Sequence, residues 1–423
     1  MEHGLGQDPD NYEKVVSGTI FYGCGEDGPE IIKGNIYIEN GIICDIEETA
    51  VPLSNWIVPR FVNAHTHIGD SVLKDPPLSV EDSAGSSVSG KAGASLRSGP
   101  SGASLRSGIS GASAGYRRSC VVRKDLDYLV RPPDGLKHRI LAETPSEELI
   151  SAMIGSINEM YHTGTGLFAD FREGGLEGIR QLMAAYECCH GDICPVIFGR
   201  PDGLYDPDNG DGSRTAAILS SLRGVLDSSS GIGLSGAADL DEYTLSKIAD
   251  RTHLKKKILA VHAGEKTADD IRPALDLDPD LLIHMTHASG ADIDEIAQKH
   301  IPVIVCPGSN FVTGSGRPPI AEMIDEGVTV GVGTDNVMLN SPDMFSEMRL
   351  LSKVFSLSDK TVYRMCTQNG AKALRCGFTG SIDIGLKADL MVLNADSLNL
   401  SNVSDPLSGF VRRARAEDII GIL

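Results

Sequence analysis

Near the start of the chain, the run "GTIFYGCGEDGPEIIKGNIYIENGIICDIEE" sets apolar side chains at alternate positions between glycine-containing turns. That is the period of a half-buried strand, and it predicts a β-meander. The run "GSIDIGLKADLMVLN" near the other end has the same look. Two short β-rich ends around a long middle predict that both termini join in one small β-sandwich. Between them lie eight compact apolar runs: "WIVPRFVNAH", "GLFADF", "CPVIFG", "GIGLSG", "KILAVHAG", "LLIHMTH", "PVIVCPG" and "VTVGVGTDN". Intervening stretches such as "SEELISAMIGSINEMYHTG" and "ADIDEIAQKH" carry helical spacing, so strand and helix alternate and the strands should run parallel beneath a layer of helices. Eight such units predict an α/β fold closed as a (β/α)8 TIM barrel, with an open doubly wound sheet as the other arrangement. The expected division is 1–55 for the N-terminal part of the sandwich, 56–375 for the barrel and 376–423 for the C-terminal part.

One stretch breaks the alternation. Residues 83–119 are rich in Gly and Ser and repeat every nine residues as "GASLRSGPS", "GASLRSGIS" and "GASAGYRRS". Leu96 and Leu105 fall where a collagen triple helix tolerates only Gly, so collagen is excluded. With too little apolar surface to offset its ordering entropy, the insert is expected to be disordered. It carries five basic residues, Lys91, Arg97, Arg106, Arg117 and Arg118, and no acidic one. It is read either as an inert loop or as a basic lid, since it follows the first barrel strand on the face where barrel enzymes keep their sites.

Composition narrows the class. Of 423 residues, 38 are Lys or Arg and 58 are Asp or Glu, a formal charge of −20 that opposes nucleic acid and anionic membrane surfaces as partners. No apolar run approaches the ~18 residues of a membrane span, and "MEHGLGQDPDNYEK" has no apolar leader core, so a cytoplasmic protein is expected. Nine cysteines without a CxxC pair read as reduced thiols, with Cys306 as packing. The expected partner is a small molecule, and a homo-oligomer is left open.

The chemistry begins at "FVNAHTHIGDS". Alternate residues of a strand share a face, so His65 and His67 project together while Thr66 turns away. Later runs end in His262 ("AVHAGE"), His284 and His287 ("LIHMTHAS") and Asp335 ("VGTDN"). In a barrel, all of these ring one mouth. Taken singly, each is as well explained by a satisfied interior histidine or a turn aspartate. Together they are costly to bury unless a cation or hydrogen bonds satisfy them, and imidazoles with a carboxylate suit a divalent transition metal such as Zn²⁺ or Fe²⁺.

With these landmarks, together with "VPRFVNAHTH", "CPGSN" and the terminal "GSIDIGLKADLMVLN", the chain resembles the amidohydrolase superfamily over nearly its full length. The resemblance is to the branch of cytosine deaminase and the triazine and other predicted chlorohydrolases. It implies His65, His67, His262 and Asp335 as metal ligands, Glu265 as the acid/base carboxylate, and His284 as the sixth-strand histidine that holds the attacking water or developing alkoxide, with His287 as the alternative. Binuclear relatives carry a carboxylated lysine on the fourth strand; "GIGLSGAADL" has none, so one metal ion is expected.

The activity implied is hydrolytic deamination of an aminated N-heterocycle, a purine or pyrimidine base, nucleoside or related ring. Asp335 would take a proton from water and Glu265 would pass one to the ring. Dehalogenation or cyclic-amide hydrolysis on the same metal is the alternative, and a third reading is an inactive scaffold, although such scaffolds lose ligands that this chain keeps. Arg172 and Glu173 at the end of "FADFRE" are read as substrate contacts or as a mutual pair; Asn310, Asn336 and Asp70 are read as rim groups that turn chemistry would also favour.

Overall fold

The computed structural model describes residues 12–25, 27–51, 54–76, 126–189, 191–204, 212–238 and 240–423. The insert 83–119, with its five basic residues, lies outside the described residues.

The expected meander is present as β1 (Lys14–Gly25), β2 (Gly28–Glu39) and β3 (Ile42–Glu48), paired antiparallel. The run expected as the first barrel strand is divided at Arg60. β4 (Asn55–Pro59) pairs parallel with β1, and only β5 (Phe61–His67) enters the barrel. The remaining apolar runs form β6 (Thr165–Arg172), β7 (Cys194–Gly199), β8 (Gly231–Leu234), β9 (Ile258–Ala263), β10 (Leu281–His284) and β11 (Val303–Val305). The eighth run appears as two pieces, β12 (Val330–Val332) and β13 (Asp335–Asn336). β14 (Leu390–Asn394) and β15 (Ile419–Ile422) then return to β4, so both chain ends meet. In place of the two packed sheets of the expected β-sandwich, the described terminal strands form one continuous six-stranded sheet in the order β15-β14-β4-β1-β2-β3.

β5 to β12 pair in sequence order, all parallel, and β13 pairs with β5 through Asp335 opposite Thr66 and Asn336 opposite His67. The ninth strand segment therefore continues the eighth and curls the sheet back on the first, as in a TIM-like barrel. Gly333, between the two pieces, makes this closure sterically feasible: a Cβ there would lie 2.5 Å from the Cβ of His65. Any side chain would push the last strand off the first. β6 is buried along all eight residues because helices cover one face and the barrel interior fills the other. The helix Ser146–His162 supplies one such cover, burying Leu149, Met153, Ile157 and Met160 at helical spacing.

Arg60 explains the break between β4 and β5. It is fully buried, and a buried guanidinium needs acceptors on every side. Its Nη1 lies 3.2 Å from Asp389 Oδ1, its side chain donates to the carbonyls of Asp192 and Thr165, its backbone N–H donates to the Asp389 carbonyl at 3.0 Å, and the Tyr161 ring lies 5.1 Å beneath it. One residue thus ties the terminal sheet to the floor of the barrel.

Arg60→Ala should lower unfolding stability by about 3–5 kcal/mol, because Asp389 is left as an uncompensated buried charge. Arg60→Met combined with Asp389→Asn should recover most of that loss in urea melts. A single-mutant cost below about 0.5 kcal/mol, typical of a surface change, would refute this role.

Candidate active site

The barrel strands deliver the site residues at their C-terminal ends. Thr66 points away and donates to the Ala169 carbonyl at 2.9 Å, so its neighbours His65 and His67 both face inward. They meet His262 from β9, His284 at the last position of β10 and Asp335 from β13, and none of the five is more than 6% exposed. Ligand atoms of His65, His67 and His262 lie within 4.8 Å of one another, as do those of His65, His284 and Asp335.

Hydrogen bonding fixes which nitrogens are free to bind a metal. His262 Nδ1 donates to the Leu234 carbonyl at 2.6 Å, and His67 Nδ1 lies 3.0 Å from both the Phe171 carbonyl and Glu173 Oε1. In each neutral ring the lone pair is therefore on Nε2. His262 Nε2 faces His65 Nε2 at 3.3 Å, and His67 Nε2 faces Asp335 Oδ1 at 3.6 Å. His65 Nε2 also lies 3.2 Å from Asp335 Oδ1, and its single proton can serve only one of these two acceptors, so lone pairs remain that a cation among them would satisfy and the residues fit a divalent metal. Burial pushes His65 down to about 4 and holds His67 and His262 well below their ordinary value, so all three are neutral donors at pH 7. Burial alone would raise Asp335, but the hydrogen bond from His65 and the surrounding imidazoles hold it well below its usual range, ionised.

The surroundings hold Asp335 in place. Ser309 Oγ donates to its Oδ2 at 2.6 Å and Asn336 Nδ2 to its Oδ1 at 2.9 Å. Asp335 has φ +62° and His284 φ +74°. Left-handed backbone at such residues costs on the order of 1–3 kcal/mol and persists only where the surroundings enforce it. Glu347, 2% exposed, is part of that enforcement. It accepts from Gly308 N at 3.0 Å and from Asn340 Nδ2 at 2.8 Å, while Asn340 also donates to the carbonyl of Thr334, next to Asp335.

Beside the cluster is a cavity of about 320 Å³, walled by His67, His262, His284, Asp335 and Glu265 among others. Glu265 leaves β9 just after Gly264, its Oε2 3.6 Å from His284 Nε2, and burial pushes its carboxyl up to about 7. His287 is exposed, one turn past β10.

The other sequence candidates divide by position. Asn336 is on the cavity wall. Glu173 is buried behind it, bonded to Arg172 Nη2 and to Arg200 Nη1, each at 3.1 Å. Arg172 turns to Glu173 and to Met153 Sδ at 3.2 Å rather than to the cavity. Asp70 is buried in the turn Ile68–Val72 and accepts from Met338 N at 2.9 Å, and Asn310 is buried and donates to Thr286 Oγ1 at 2.9 Å. Sequence reading missed Lys137, Arg200 and Ser309. Arg200 follows "CPVIFG" directly, a polar residue at a strand's C-terminal end, and could have been flagged; Lys137, in "GLKHRI", reads like any solvated helical lysine.

Residues 56–421 match the family model described as "Amidohydrolase family". A protein of Methanothermobacter thermautotrophicus, whose aminohydrolase designation is itself provisional, is 31% identical over 439 residues, with 97% of each chain covered. Among solved structures, an adenosine deaminase from Xanthomonas campestris with bound zinc superposes with a TM-score of 0.70 at 19% identity, covering 97% of this chain and 91% of that one. Atrazine chlorohydrolase from Arthrobacter aurescens, complexed with zinc, superposes with a TM-score of 0.70 at 15% identity, covering 96% and 94%. At these identities the two structures establish the fold alone. Among the described residues, no helix is long and apolar enough to cross a membrane.

Glu347 generates a pH prediction. Burial raises its carboxyl from 4.5 to about 7, so the folded form holds the proton more tightly than the unfolded chain. Its stabilising effect is complete below the unfolded pKa and is lost as pH rises through 7, a swing of about 3 kcal/mol. Melts from pH 4.5 to 7.5 should therefore show a shallower fall in stability for Glu347→Gln than for the parent. Parallel curves would refute the shift.

Proposed function

The chain belongs to the amidohydrolase family, and from that premise we propose that this metal-dependent C–N hydrolase deaminates an aminated N-heterocycle, a purine or pyrimidine base, a nucleoside or a related ring. The observation that carries the reading is Glu265: a carboxyl raised to about 7, 3.6 Å from His284, on the wall of a cavity shared with the imidazole–carboxylate cluster. A group titrating near neutrality can give and take protons at physiological pH.

His65, His67, His262 and Asp335 would hold one divalent transition ion; the zinc in the two solved neighbours supports Zn²⁺ over Fe²⁺. When bound, such an ion supplies Lewis acidity that lowers the pKa of water from about 15.7 towards about 7. Asp335, ionised and steadied by Ser309, accepts the proton as the water oxygen bonds to the sp² ring carbon. Glu265, in its acid form, protonates the adjacent ring nitrogen, so negative charge does not build up on the heterocycle. His284, held at φ +74° on the cavity wall, would hydrogen-bond the same oxygen. Glu265, now a carboxylate, takes the proton of the adduct's hydroxyl and passes it to the exocyclic nitrogen; the C–N bond breaks as the C=O bond forms, ammonia leaves, and the proton held by Asp335 returns to Glu265. Dehalogenation is the second reading, because water activated at the same site does not itself select the leaving group.

Glu265→Gln should keep its metal by elemental analysis while turnover falls at least about 100-fold, the scale of losing a general acid/base. An ammonia-coupled screen of aminated bases and nucleosides beside their chlorinated counterparts should show ammonia release. Chloride release without ammonia would replace deamination by dehalogenation, and full activity in Glu265→Gln would refute the role of Glu265.

A further inference from the structure

Lysine is rarely buried, yet Lys137, on the helix Leu136–Glu143, is 3% exposed and lines the cavity beside His67, Asp335 and Asn336. An ammonium has three N–H donors. One reaches Glu173 Oε1 at 2.7 Å and another Asn336 Oδ1 at 3.0 Å; the next acceptor, Asp70 Oδ2, is 3.7 Å away, beyond hydrogen-bond reach. Lys137 is the strongest charge partner of Glu173, and Arg172 and Arg200 also contact that carboxylate, each at 3.1 Å. Three cations meet around Glu173, and the next carboxylates, Asp170 and Asp70, lie 3.7 Å from Arg172 and from Lys137. Arg200 also lines the cavity, so this part of the wall is cationic, whereas Glu265 brings a carboxyl.

Resting on the deaminase reading, the geometry points to Lys137 as the specificity-determining residue that donates to an exocyclic oxygen of the substrate. It thereby selects oxo-substituted aminoheterocycles over aminated rings that lack the oxygen. A substrate carbonyl completes the ammonium's hydrogen bonds, while an oxygen-free ring leaves a buried charged donor unpaired. The penalty for an unpaired buried donor of this kind corresponds to about 10- to 100-fold in affinity.

The test uses zinc-loaded full-length Glu265→Gln protein and matched pairs that differ only in the oxo group: cytosine against 4-aminopyrimidine, and guanine against 2-aminopurine. Calorimetric titration should show the oxo member binding about 10- to 100-fold tighter. Adding Lys137→Met should bring that ratio close to one with zinc content unchanged, and Lys137→Arg should retain part of the preference. Equal binding of both members by the Glu265→Gln protein, an unchanged ratio in Lys137→Met, or loss of zinc along with the ratio would each overturn the inference. If the unmutated enzyme releases ammonia but the ratio does not respond to Lys137, this inference alone fails. If no ring binds and no ammonia appears, the deaminase reading fails with it.

Discussion

The structure around the site depends on one electrostatic constraint: nitrogen lone pairs and a carboxylate gathered on side chains that are each at most 6% exposed. His262 and His65 face each other through Nε2 at 3.3 Å, and His67 faces Asp335 at 3.6 Å. In such an arrangement without a cation, the single Nε2 proton of His65 must serve both His262 Nε2 and Asp335 Oδ1; a cation would satisfy all of these lone pairs. The backbone carbonyls of Leu234 and Phe171 set the tautomers that create it. The donor set is therefore built by strand ends, where spare carbonyls point toward the mouth of the barrel.

Holding those donors requires rigidity behind them. Asp335 and His284 both sit in left-handed backbone, and Asp335 lies where the eighth strand closes on the first. Ser309, Asn340 and Glu347 form a polar support beneath that closure. Glu173 plays the matching part on the other side, gathering His67, Lys137, Arg172 and Arg200 on one carboxylate. The sequence left it either as a substrate contact or as a partner of Arg172; its carboxylate pairs with Arg172 behind the cavity wall, where its charge organises groups that do reach the cavity.

Much of the architecture was legible because it is periodic. The eight apolar runs recur as barrel strands, and the alternating terminal segments pair into one sheet. The HxH spacing at a strand end directs two imidazoles to one side by geometry alone. The division of "WIVPRFVNAH" was not legible: its hydrophobicity is continuous, and only the distant acceptors of Arg60 decide where one sheet ends and the barrel begins.

The sequence by itself determined the local terms: which residues alternate, which end strands, and which side chains carry lone pairs or protons. Tertiary structure alone decided the rest. It set which of several Asn, Asp and Arg residues face the cavity, how far burial raises Glu265 and Glu347, and that Lys137, ordinary in its own helix, is enclosed beside the imidazoles. Burial, field and hydrogen-bond partner are properties of neighbours brought together from distant parts of the chain, and no local spacing encodes them.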